Sequence, residues 1–200
     1  MTSRRHIELN LPDDLRFACN EFAKAKTYVN TAYGHLFDKQ INTRPADGGW
    51  SVAECLEHLC VTAEHYLPLI DDALESAEAN ELRKQPPYKR SLLAAWLISQ
   101  TEKVPPKLKI RSPAAFRPVN QHGAEQIRHR FASFQVRLTE AAKRANGLDL
   151  GRIKVPSPVT SLLKIPLGQA FRFIAAHQYR HLWQADQVIK ENALDRTQKT

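Results

Sequence analysis

Trp50-Ser51-Val52-Ala53-Glu54-Cys55-Leu56-Glu57-His58-Leu59 carries the signature of a helix start. The Ser51 side chain can accept from the backbone N–H three residues on, while Glu54 reaches back to the N–H of Ser51. Trp50 and Cys55 can close a hydrophobic staple across that box. From Val52 onward Cys55, Leu56, Leu59, Ala63, Tyr66 and Leu67 recur at the spacing of a helix with one buried face. Pro68 removes one ladder bond and predicts a kink, after which Leu69, Ile70, Ala73, Leu74 and Ala77 resume the pattern.

Upstream, Asn42-Thr43-Arg44-Pro45-Ala46-Asp47-Gly48-Gly49 is a run of turn formers that separates this helix from an earlier one. The earlier helix starts at Pro12-Asp13-Asp14, with proline near its first position and carboxylates at the positive end of its dipole. Leu15, Ala18, Phe22, Ala25, Val29, Ala32 and Leu36 carry its apolar face to about residue 39. Downstream, residues 79–120 are Pro-rich and predict an irregular crossover with one short helix over Ser91–Lys103. A third long helix is predicted from about Asn120 to Asn146, striped by Ala124, Ile127, Phe131, Phe134, Leu138, Ala141 and Ala145 and ended by Gly147. A second Pro-rich, helix-poor crossover, Leu148–Pro166, leads to a fourth helix over Leu167–Asn192, and the polar tail Ala193–Thr200 is expected to fray.

Four long helices with two long connections predict an all-α protein, a single four-helix bundle with a long Pro-rich crossover between helices two and three. One domain is expected over residues 1–200, with its core at about 11–192. The short first link makes helices one and two antiparallel, and the long second link lets helix three run parallel to helix two. Helix four then returns antiparallel to both, an up-down-down-up order.

Composition bounds the function. Hydrophobic content of 42% and charged content of 25% belong to a soluble globular chain. No apolar run reaches the roughly 20 residues of a membrane span. The start, MTSRRHIELNLPDDL, has two arginines but no apolar core after them, so no signal peptide is expected and the protein is read as cytoplasmic. The net charge of +8 admits acidic partners, yet the basic residues are spread along the chain without an aromatic-basic motif. No specific nucleic acid and no membrane is therefore expected as a partner. Cys19, Cys55 and Cys60 form no CxxC pair and each falls in a helical apolar pattern, which predicts buried structural thiols.

The chemistry-bearing residues are histidines. His177-Gln178-Tyr179-Arg180-His181 places two imidazoles at i and i+4, on one helix face and about 5 to 6 Å apart at Cβ. Ile174 and Val188 share that face, so the pair points inward, where an imidazole needs either a metal or a hydrogen-bond network. His58 lies in the apolar stripe of helix two, between Leu56 and Leu59. If helices two and four are antiparallel, the first half of one faces the second half of the other, and His58, His177 and His181 meet at one level. Three neutral imidazoles leave coordination positions open for water or substrate, the arrangement of a catalytic metal site.

Gly49-Trp50-Ser51-Val52-Ala53-Glu54-Cys55-Leu56-Glu57-His58-Leu59, followed by His177-Gln178-Tyr179-Arg180-His181-Leu182-Trp183-Gln184, resembles the DinB-like (YfiT-like) superfamily of metal-dependent enzymes. The resemblance implies a four-helix bundle in up-down-down-up order. It also implies a divalent metal, nickel or zinc, held by His58, His177 and His181, and a small-molecule substrate. Relatives of that kind include thiol-dependent transferases such as bacillithiol S-transferases and mycothiol-dependent maleylpyruvate isomerase, so a low-molecular-weight thiol is the second implied cofactor. A homodimer is the implied assembly.

Other readings compete for the same residues. A zincin needs glutamate directly after its first histidine, and here that place is Gln178. Glu54 is accounted for by the capping box. Glu57 projects roughly 100° from His58, which predicts solvent exposure. His65 falls near the same face two turns on and reads as a satisfied histidine, while His6, His35, His122 and His129 have no spacing that links them to the site. Arg180 and Gln184 flank the ligands and could orient one of them or hold an anionic substrate. Trp50 and Trp183 read as packing residues. Two function classes follow: an enzyme that activates a thiol for transfer or water for hydrolysis, or a non-catalytic, stress-related bundle with structural histidines and no metal.

Overall fold

The computed structural model describes residues 10–106, 112–119, 121–160 and 162–192. The expectations for the opening stretch 1–9 and the tail 193–200 lie outside them. The chain is mostly helical: α1 (Asp13–Tyr33), α2 (Asp38–Ile41), α3 (Val52–Ala79), α4 (Leu92–Thr101), α5 (Ala124–Arg144) and α6 (Leu167–Glu191), with a 3-10 turn over Ala114–Phe116. The Leu148–Pro166 crossover contains a small antiparallel hairpin, β1 (Lys154–Pro156) on β2 (Lys164–Pro166), with Val155 opposite Ile165. Each strand is three residues long and ends in proline, too short for a period-two pattern to stand out in the sequence.

Local chemistry sets the ends of these elements. α3 starts on the predicted capping box: Glu54 N donates to Ser51 Oγ at 3.2 Å and Ser51 N donates to Glu54 Oε2 at 2.8 Å. Arg44 adds a bidentate bond to the same carboxylate. Burial pushes the Glu54 acid up, but the Arg44 and Ser51 bonds outweigh it and hold the group below the usual carboxylate range. α3 runs unbroken through Pro68, whose exposed ring lies on the solvent side. The first helix is shorter than its apolar pattern: α1 stops at Tyr33, and buried Leu36 belongs to the turn before α2. That turn lets Asp38 accept from Ala124 N at 2.8 Å, capping α5 from another element.

The long helices pack in four pairs: α1 with α5 and with α6, and α3 with α5 and with α6. Polar contacts match positions along them. Arg130 meets Glu64 and Arg144 meets Glu78, early to early and late to late on α5 and α3. Asp14 meets Arg172 near the starts of α1 and α6, and Tyr33 donates to Asp186 at 2.8 Å near their ends. Arg128, near the start of α5, donates to the carbonyl of Tyr33 at the end of α1. One hydrophobic cluster extends from Leu15 to Val188 between these helices, with Phe22, Phe131 and Phe171 fully buried in it. Among the described residues no helix is long and apolar enough to cross a membrane.

Candidate metal centre

His58 comes from the first two turns of α3, seven residues after its cap, and His177 and His181 from the middle of α6. α3 and α6 pack against each other, and the three rings meet across that contact. Nε2 of His58 lies 3.2 Å from Nε2 of His177, and one ring nitrogen from each of the three lies within 4.8 Å of the others. Imidazoles sharing one zinc at roughly 2.0 to 2.1 Å stand about 3 to 4 Å apart, so the set is close to a ligand geometry. His58 is buried while His177 and His181 are half-buried, which leaves the cluster one open side.

The outer nitrogens set the inner ones. Nδ1 of His58 lies 2.6 Å from the carbonyl oxygen of Phe116, and Nδ1 of His181 lies 3.1 Å from Oε1 of Gln184. A carbonyl oxygen only accepts, so both Nδ1 atoms carry the proton and both Nε2 atoms keep a lone pair for the centre. Nδ1 of His177 is buried without a hydrogen-bond partner among the described residues. Trp50 packs its ring 4.9 Å from that of His58 and stacks 5.8 Å from that of His181, and Phe173 stacks 6.0 Å from that of His177. These aromatic walls hold the imidazoles in place from the protein side.

A family profile described as the DinB superfamily matches residues 22–185. The chain belongs to the DinB superfamily. No curated protein and no solved structure matches it. The DinB span contains all three histidines, Trp50 and Gln184.

Two residues that the spacing set aside, Glu57 and His122, meet each other on the crossover side of α3. Glu57 is not solvent-exposed: only 2% of it is accessible, because the crossover between α4 and α5 covers the side of α3 that it occupies. Its Oε2 accepts from Val119 N at 3.2 Å, and its Oε1 lies 3.2 Å from Nε2 of His122. The angle from His58 was legible; what lies beyond that face was not. The Phe116 carbonyl carries no side-chain signal at all. His65 is exposed with its ring 4.7 Å from that of Phe116, and His129 is exposed on α5. Arg180 is half-buried, and its charge is among the causes that disfavour protonation of His177 and His181. The cysteines are free thiols, with Cys55 and Cys60 buried, and burial pushes Cys60 up to about 12.

Desolvation lowers the pKa of His58 and takes that of His177 well below the ordinary imidazole value, and it brings His181 to about 3. Neutral rings are the form that binds metal. The unfolded chain protonates these groups near 6.5 and the folded, metal-free chain only at lower pH. Their contribution to stability is thus complete above about pH 6.5 and is lost as pH falls toward the folded values, His181 titrating near about 3. Urea midpoints of metal-free protein at pH 7.5 and 5 should show this loss. In His181→Gln the pH slope should be smaller by up to about 1.4 kcal/mol per pH unit; an unchanged slope would mean that His181 is not held neutral by the fold.

Proposed function

We propose that this DinB-superfamily protein is a metal-dependent enzyme whose His58, His177 and His181 hold a divalent ion, nickel or zinc, in a four-helix bundle of up-down-down-up order. The observation that carries the reading is the inward convergence of three imidazoles, two of them with Nδ1 tied to a carbonyl oxygen. The early-to-early and late-to-late contacts of α1 with α6 and of α3 with α5 support the bundle order.

The bound ion would act as a Lewis acid that lowers the pKa of a thiol or water entering from the open side. The chain's own residues have narrower tasks. The Phe116 carbonyl and Gln184 hold the tautomers of His58 and His181. Trp50 and Phe173 keep the rings aligned and exclude water from behind them. Arg180 supplies a cation beside the histidines that suits an anionic substrate group. With Cys55 and Cys60 buried, a thiol nucleophile would be supplied by a small-molecule cofactor.

Protein purified without a histidine tag should carry close to one nickel or zinc per chain by elemental analysis, and a chelator should remove it. Absence of stoichiometric metal, including after reconstitution with either ion, would sink the reading in favour of a non-catalytic bundle. Given a metal, retention of the loaded protein on an immobilised low-molecular-weight thiol supports transfer, and failure to bind thiols points to hydrolysis.

A further inference from the structure

Glu57 stands next to His58 on α3, yet its carboxylate serves the crossover rather than the histidine cluster. A buried carboxylate needs partners, and among the described residues Glu57 accepts from the N–H of Val119, while Nε2 of His122 lies 3.2 Å from its other oxygen; both residues belong to the chain between α4 and α5. The next residue, His58, meets the same crossover at the Phe116 carbonyl, 2.6 Å from its Nδ1. Two consecutive residues of one helix turn thus pin Phe116, Val119 and His122. The far end is braced separately. Asn42 Nδ2 donates to the carbonyl of His122 at 2.8 Å, and His122 N donates to Asn42 Oδ1 at 3.3 Å. Phe116 itself is buried, with 5% of its surface accessible.

The geometry points to Glu57 as a positioning residue: by holding Val119 and His122 it sets the Phe116 carbonyl on His58 Nδ1 and so selects the Nε2 lone pair that faces the metal centre. The inference deepens the metal reading, since it concerns which nitrogen of His58 is left for an ion. It stands on three contacts made by neighbouring side chains to one strap. Lifting that strap would break the Val119 bond to Glu57 and remove the His58 acceptor together, so the two are mechanically one clamp. The residue touches neither the ion position nor substrate; it acts through the strap alone.

The tautomer of His58 reads this directly in metal-free protein, from long-range 1H–15N correlations of 15N-histidine-labelled samples. Wild type should show His58 as the Nδ1–H form. Glu57→Ala should move the ratio toward Nε2–H about tenfold, the worth of one buried hydrogen bond. Val119→Pro removes the strap's N–H donor, besides fixing φ there, at a side chain that is 80% exposed, and it should shift the ratio in the same direction even if Glu57→Ala fails to fold. A His58 that stays in the Nδ1–H form in Val119→Pro overturns the clamp, whatever Glu57→Ala does. The failures are separable. A wild type that binds no metal sinks the metal reading and leaves the tautomer result standing, whereas an unmoved tautomer in a metal-binding protein sinks the clamp alone.

Discussion

His177→Ala should weaken zinc or nickel binding by more than about 100-fold in a competition titration against a chromophoric chelator. Even partners that only orient a ligand cost 10- to 100-fold, and His177 is one of the three proposed donors itself. Its Nε2 lies 3.2 Å from that of His58, so its loss leaves at most two nitrogens, drawn from different helices, to hold an ion. The thermal midpoint should follow. Wild-type protein gains about 2.7 kcal/mol at a free metal concentration of about 100 times Kd, and the variant should gain almost nothing at that concentration. His129→Ala, at an exposed position on α5, should bind metal as the wild type does. Wild-type affinity in His177→Ala would mean that the three rings do not share an ion.

Phe131→Ala should cost about 3 to 5 kcal/mol in urea unfolding. Phe131 lies on α5 with none of its surface accessible, inside the cluster where α5 packs against α1 and α3. Against a total stability of about 5 to 15 kcal/mol for an ordinary domain, that loss is a large fraction. Phe37→Ala removes the same ring from a position that is 76% exposed, and its effect should stay within about 0.5 kcal/mol. Equal losses in the two variants would contradict the placement of the core.

These expectations differ in how early they could be written. The burial of Phe131 follows from its place in a stripe of three- and four-residue spacing. The α3 start follows from Ser51 and Glu54, because a cap is a bond between residues three apart and needs no distant partner. The same locality put His177 and His181 on one face. His58 joins them only through tertiary packing, at the contact of α3 with α6.

The limits of the sequence lie where a partner arrives from far along the chain. The apolar pattern carried helix one past Tyr33, since the pattern records burial and Leu36 is buried in a turn. Pro68 sits on the exposed side of α3, which continues past it. The projection of Glu57 roughly 100° from His58 assigns it to solvent, while Val119 and His122, more than sixty residues away, cover it. By itself the sequence determined the long helices, their caps and faces, and the three histidines that lie on them, all of which are periodicities and contacts within a turn or two. Only the tertiary structure decided what covers those faces. The carbonyl on His58 and the partners of Glu57 come from an irregular crossover, whose path follows from hydrogen bonds to distant elements rather than from any repeat in its own residues.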